Sequence, residues 1–331
     1  MNHRAQQWPR IAQPAARKKT MSEKKTARIE RQASPSSVAA NASQEPASPR
    51  PVGGAPIALK SGPRVFETLL GSWSQGMAQA GSDSDWRGVF LSGPSQWAEP
   101  LNAAQEERAD PLADGLDCVF WSQWRFAQFL GQANFMALKL LYCAPEFIER
   151  DDGQLAVLRA QRERFLTRQT IDGLLGVAQS QLKIYQRITE RPAADGKAEK
   201  PSKIAAHALR LSRMGVEIAE RGEFLVHRAD AQEILAVKSG ERRHEDAVKE
   251  ALSTIQKARS MRNAAPVPAE ADEEWAREWA RAYFYEELAR RGADPKNWAD
   301  GPAAGIVIQP HNVTPPPTEP GRPKMGRGRQ R

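Results

Sequence analysis

Cysteine is almost absent. The 331 residues hold two, Cys118 and Cys143. Each stands in an apolar stretch and neither sits at a metal-ligand spacing. Thiolate metal sites and a disulfide scaffold are therefore excluded, and two small buried side chains in a reducing, cytoplasmic compartment are expected. Long apolar runs are missing too. None approaches the ~20 residues that a membrane helix needs, and the basic, proline-bearing start lacks the apolar core of a secretory signal. Met21 is a second candidate start. Apolar residues make up 40% of the chain, slightly under the globular norm, so part of it is expected to stay unfolded. Acidic residues are scarce at both ends. Residues 1–60 carry eleven Lys/Arg against three acids, a net of +8, and residues 311–331 carry five against one, a net of +4. With the whole chain at +8, residues 61–310 are at −4. The basicity belongs to the tails, which are either simply solvated or auxiliary contacts to nucleic acid.

What is present falls into four stretches. Residues 1–60, rich in Ala, Ser, Pro and basic side chains, predict a disordered tail, because they bury too little to offset ordering entropy. Residues 61–150 read as strands at 64–70, 85–91 and Leu116–Trp121, with a short helix over Ser74–Gln79 and a loop over 92–115. A helix follows from Ser122 to about Leu141, stopped by Pro145. Residues 151–292 read as helices over 154–190, 202–221, 229–239, 243–260 and 270–291, with a linker at 191–201. The last helix carries Trp275, Trp279, Tyr283 and Phe284, which predict packing against the other helices. Residues 293–331 are a second disordered, Pro-rich basic tail. The fold class is α+β: a small sheet with flanking helices, then an α-helical domain.

Residues 71–85 carry the chemistry. Gly71-Ser72, at a strand end, suits a phosphate through backbone N–H groups and a hydroxyl. Asp83 and Asp85, two apart at the start of the next strand, put two carboxylates on one face, the hard oxygen set for a divalent cation. Asp117 interrupts the apolar third strand. It is either a third metal ligand, which would explain an acid in such a run, or a cap for the following helix. Lys203, His207 and Arg210 form a row about 100° around the helix from the apolar stripe. That row is either a solvated face or a contact to phosphates. A phosphate cradle beside metal carboxylates is equipment for phosphoryl or nucleotidyl transfer.

In this order, a Gly-Ser turn, Asp-x-Asp, a third acid on a strand and a Lys-His-Arg helix resemble the DNA polymerase β-like nucleotidyltransferase superfamily. The stretches Ser82–Phe90, Asp117–Tyr142, Lys203–Glu217 and Glu233–Glu241 are similar to bacterial and phage nucleotidyltransferases named for an RNA repair pathway. The resemblance spans roughly residues 64–255. It implies a mixed-sheet catalytic core and a helical domain across a cleft, using two Mg²⁺ ions, or Mn²⁺. Asp83, Asp85 and Asp117 would be the metal and catalytic acids. Gly71, Ser72, Lys203, His207 and Arg210 would contact the NTP, and Arg87 either faces the phosphates or pairs with an acid. The acceptor would be a hydroxyl on an RNA or DNA end, a protein or a small molecule. The chain departs from these relatives at Trp73-Ser74-Gln75, at Ser84 between the aspartates, and at Phe120–Arg125 after the third strand. Those departures also admit an inactive nucleotidyltransferase fold serving as a nucleic-acid-binding or scaffold module.

Overall fold

The computed structural model describes residues 50–94, 105–108, 116–190 and 200–299. All of them fall within one compact unit. Five strands form a mixed sheet: β1 (Arg64–Leu69), β2 (Ser84–Phe90), β3 (Glu106–Arg108), β4 (Leu116–Ser122) and β5 (Ile148–Asp151), in the order β3-β4-β2-β1-β5. The β2–β4 pair is parallel and the other three pairs are antiparallel. Side chains alternate between the two faces. Trp86, Phe90, Cys118 and Phe120 pack on one face with Ala55 and Leu59. Val89, Val119 and Trp121 point to the other face, into the core shared with the helices. Gly88 lies where a Cβ would come within 2.5 Å of Phe120 and of the Phe66 carbonyl oxygen, so the strands close up only over a glycine.

The helices are α1 (Gly71–Ser74), α2 (Gln123–Gly131), α3 (Phe135–Tyr142), α4 (Gln154–Ala160), α5 (Arg168–Glu190), α6 (Pro201–Arg221), α7 (Ala231–Ser239), α8 (His244–Met261) and α9 (Glu273–Arg291). Helix α6 starts on Pro201 and ends at Gly222 in the left-handed conformation, a favoured start and stop. It packs against α5, α7 and α8, and its buried residues lie all round it, as in the centre of a bundle.

Several expectations are corrected. The helix after the Gly-Ser turn is four residues and contains Gly71 and Ser72 instead of following them. The long helix over 122–141 is two, broken where Ala133 adopts φ 51° and Asn134 caps α3 by accepting from Met136 N–H. The helix over 154–190 is likewise α4 and α5, with a 3₁₀ turn at Arg162–Arg164 between them. Strands β3 and β5 were not expected. They are edge strands of three and four residues, too short for alternation to register. Their acids hold neighbouring groups: Glu106 accepts from the Trp121 indole, and Asp151 from Gly153, Leu155 and Ala156 N–H at the start of α4.

Parts of both expected tails are folded. Residues 50–60 belong to the fold: Arg50 pairs with Glu149, and Ala55 and Leu59 fill the second core. At the other end Trp298 is buried against Phe284 and Gly93. The rest of both expected tails, and the 191–199 linker, lie outside the described residues. Helix α9 does not pack chiefly on the other long helices. It returns to α2 at the sheet, with Trp279 against Phe126 and donating to Gln154. Tyr283 donates to Asp152, which sits just after β5.

Candidate active site

Parallel pairing of β2 with β4 sets Asp85 directly opposite Asp117. Alternation puts both on the helix-facing side, at the strand ends where the sheet gives way to loops. Asp83 lies one residue ahead of β2 and is exposed. Burial raises the Asp85 carboxyl above its usual range. Arg87 opposes that rise, and the charges of Asp117 and Asp83 add to it. Arg87, two residues along the same face, donates to the Asp117 carboxylate at 2.6 Å and to its carbonyl at 2.9 Å. Arg87 is thus paired with an acid. The capping alternative for Asp117 is also resolved: Ser122 caps α2, accepting from Arg125 N–H.

The turn before these acids is built against them. Gly71 has φ +63°, and a Cβ there would come within 1.8 Å of the Asp85 carboxylate oxygen. Leu70 N–H donates to the Asp85 carbonyl at 2.8 Å. Trp73 donates its indole N–H to the Asp83 carbonyl at 3.1 Å and packs on the second core. It therefore ties the turn to the entry of the aspartates.

Ser72 and Gly71 share a cleft of ≈ 250 Å³ with Lys203, His207 and Arg210 of α6, Gln181 of α5 and Lys238 of α7. The described lining has four basic side chains and no carboxylate. Burial deepens along the row on α6. Lys203 is exposed, His207 half-buried, and Arg210 only 8% exposed. Burial, with Arg210, Lys139 and Lys203 nearby, pushes the His207 imidazole down to about 3, so it is neutral near pH 7. Arg210 is lowered to about 10 by burial and by Arg228. Its Nη1 is buried with no hydrogen-bond partner.

Two side chains that the sequence reading passed over belong here. Lys139 is 6% exposed, inside the apolar octet of α3. Burial and the charge of Arg210 bring it down to about 7, while Asp85 pulls the other way. A lone lysine in an apolar run was a signal of the same kind as Asp117. Arg228, 3% exposed, makes a two-pronged ion pair with Glu217 of α6 at 2.5 and 2.7 Å. Its backbone N–H donates to the Gln75 carbonyl, so it links α6 to the turn after Ser72. Nothing in its sequence surroundings marks it, because the contact is made across the fold.

Among the described residues no three His, Cys, Asp or Glu side chains are gathered to hold a metal ion as they stand. Asp85 and Asp117 nevertheless fit one: hard oxygens on neighbouring strands, with a mutual repulsion that a cation relieves.

Strand-end carboxylates thus stand beside a cleft whose described lining is cationic and free of acids. The family model described as the RNA repair pathway DNA polymerase beta family matches residues 56–286, and the chain belongs to that family. It is accordingly a nucleotidyltransferase. A comparison with curated proteins returned no match. Among solved structures, a nucleotidyltransferase-like protein from Exiguobacterium sibiricum 255-15 is similar at 13% identity with a TM-score of 0.26, over 70% of this chain and 76% of that one. At that score the likeness carries no argument. Among the described residues no helix is long and apolar enough to cross a membrane.

Proposed function

We propose that the protein transfers a nucleoside monophosphate from an NTP to a hydroxyl acceptor, with Mg²⁺ or Mn²⁺, releasing pyrophosphate. The observation that carries this is the cleft itself. Gly71 and Ser72 meet Lys203, His207 and Arg210 in one acid-free lining, and Gly71 touches the strand that holds Asp85. A triphosphate suits that division of charge, its phosphate chain along the cations and its reacting end toward the acids.

In this reading residues 61–150 supply the catalytic half and 151–292 the helical half. Asp83, Asp85 and Asp117 would hold the metal, which when bound would neutralise the phosphates and sharpen the attacking hydroxyl. Gly71 and Ser72 hold the β- and γ-phosphates, with Lys203 and Arg210 offsetting their charge. His207, neutral at Nδ1 or Nε2, offers a single N–H without adding repulsion to the row. Asp117, released by Arg87, accepts the proton of the attacking hydroxyl. The acceptor is an RNA or DNA end in preference to a small molecule, on the strength of the basic tails.

The test is label transfer. The protein, Mg²⁺ and α-labelled NTPs are incubated with RNA, DNA or protein acceptors. Transfer that is lost on Asp83→Ala with Asp85→Ala is the expected result. Transfer undiminished in that double variant overturns the proposal.

One observation favours a second reading, an inactive fold that binds nucleic acid: Arg87 already occupies Asp117 at 2.6 Å. That reading expects no calorimetric Mg²⁺–NTP binding, but salt-sensitive RNA or DNA binding that disappears when residues 1–49 and 311–331 are deleted.

A further inference from the structure

Arg87 is a cation set into the acid pair. Its Nη1 donates to the backbone carbonyls of Trp86 at 2.8 Å and Asp117 at 2.9 Å. Those two bonds hold the guanidinium without help from either carboxylate. Its Nη2 then reaches the Asp117 carboxylate at 2.6 Å and stands 3.8 Å from Asp85 Oδ1. Among the described residues the ion pairs of both acids are with Arg87 alone. One positive charge thus serves two carboxylates that strand register holds opposite each other. In charge terms, that is the place a divalent cation would take.

The other buried arginines show what is unusual here. Arg228 and Arg64 are closed in with their acids, Glu217 and Asp230 for the one and Glu67 for the other. Arg87 is only 12% exposed, yet Asp117 opposite it is 50% exposed and Asp85 30%. The cation is anchored and its acids are open to solvent. An ion from solution can reach the carboxylates, whereas the guanidinium stays on its two carbonyls and can only lose its hold on Asp117. The second Asp85 oxygen lies against Gly71, so one oxygen of that carboxylate meets the turn and the other meets Arg87.

We propose that Arg87 is a tethered competitor for the metal site: it neutralises Asp85 and Asp117 while no metal is bound, and a divalent cation binds by taking Asp117 from it. The acids are thereby kept facing each other before the metal arrives, at the expense of affinity for the ion. This rests on the metal-binding part of the nucleotidyl-transfer reading, and it is testable without nucleotide or turnover. The Arg87–Asp117 contact that would suit an inactive fold is then the resting state of a working one.

The experiment is titration of the full chain with Mn²⁺ alone, read by the loss of the free-ion electron paramagnetic resonance signal, alongside thermal melts. R87M should bind Mn²⁺ more tightly than the wild type, by roughly tenfold, because solvent around Asp117 screens the competing charge but does not abolish it. R87K keeps the charge without the planar fork that grips two carbonyls. Its affinity should fall between the two, which keeps the proposal testable if R87M folds poorly. Without metal, R87M should melt below the wild type, because two carboxylates are left facing each other, and Mn²⁺ should raise its midpoint by more. The gain should vanish without Asp117: R87M/D117N should bind no more tightly than D117N. R281M removes an exposed arginine on α9 and should bind like the wild type. A residue that merely positions the acids predicts the opposite sign. Mn²⁺ affinity that falls or stays level in R87M therefore overturns the proposal, as does R87K no tighter than the wild type. A gain that persists beside D117N, or that R281M shares, overturns it as well. No Mn²⁺ binding by any variant removes the metal site and this role with it. Nucleotidyl transfer by the wild type without a gain in R87M removes this role alone. Tighter Mn²⁺ binding in R87M, with no transfer to any acceptor, keeps the role of Arg87 and removes only the transfer reading.

Discussion

Gly71 is the residue on which the acids and the cleft meet. Its φ of +63° and the Asp85 carboxylate 1.8 Å from where a Cβ would stand leave room for no side chain. In G71A the left-handed backbone alone costs about 1–2 kcal/mol, and Asp85 must also move. The expected outcome is a lower denaturation midpoint together with a loss of transfer activity that exceeds the loss of folded protein, measured by urea titration beside the label assay. Lys139 leads to a pH prediction. Its ammonium is lowered to about 7 by burial and by Arg210 and Arg87, against the pull of Asp85, whereas a free lysine titrates near 10.4. Between those values the unfolded chain holds a proton that the folded one has released, so stability rises with pH across that window. The slope approaches about 1.4 kcal/mol per pH unit at its steepest. The wild-type minus K139M difference in unfolding free energy should show that slope between pH 7 and 10, and a flat difference would refute the burial of a charge there.

Elements reach the site through contacts that cross the fold. Helix α6 presents Arg210 and His207, yet its register against the turn at Ser72–Met77 depends on Glu217 gripping Arg228, whose backbone holds Gln75. Arg228 is 3% exposed, so R228L leaves Glu217 without its main partner and should destabilise the protein by about 3–5 kcal/mol. The double variant E217L/R228L should recover part of that loss, and chemical denaturation of the two singles and the double gives the coupling. The sheet elements show why sequence pattern is an uneven guide. The strands at 64–69, 84–90 and 116–122 are interior and alternate or run apolar, so their existence was readable from the sequence. The edge strands Glu106–Arg108 and Ile148–Asp151 are charged triplets and quartets whose pairing is bought by a neighbour. The break in the helix over 122–141 turned on one residue at positive φ, which no periodicity carries.

For the whole molecule, the fold is wider than its apolar pattern. Residues 50–60 look like tail by composition, yet Ala55 and Leu59 close the second core beneath Trp86 and Phe120. A protein lacking residues 1–60 should melt well below one lacking residues 1–49, because Leu59, 5% exposed, alone is worth about 2–5 kcal/mol. Equal melting temperatures would remove that packing from the account. Helix α9 makes the same point at the other end, since Trp279 and Tyr283 bring it back to α2, Gln154 and Asp152.

By itself the sequence pointed to the family, and it marked the residues proposed here to serve its chemistry. Asp83 and Asp85 stand two apart at the start of a strand, Asp117 interrupts an apolar one, Gly71-Ser72 follows one, and Lys203, His207 and Arg210 recur at helical spacing; each is a local pattern. Only the tertiary structure decided which of these meet. It set Asp85 against Asp117 by strand register, turned Arg87 onto an acid, and brought the α6 row to a cleft shared with Gly71 and Ser72. It also added Lys139, whose apolar neighbours carried a signal that went unread, and Arg228, which no neighbouring residue announces. The physical reason is that desolvation, and hence the meaning of a charge, depends on what the whole chain packs around it and not on the residues beside it in sequence.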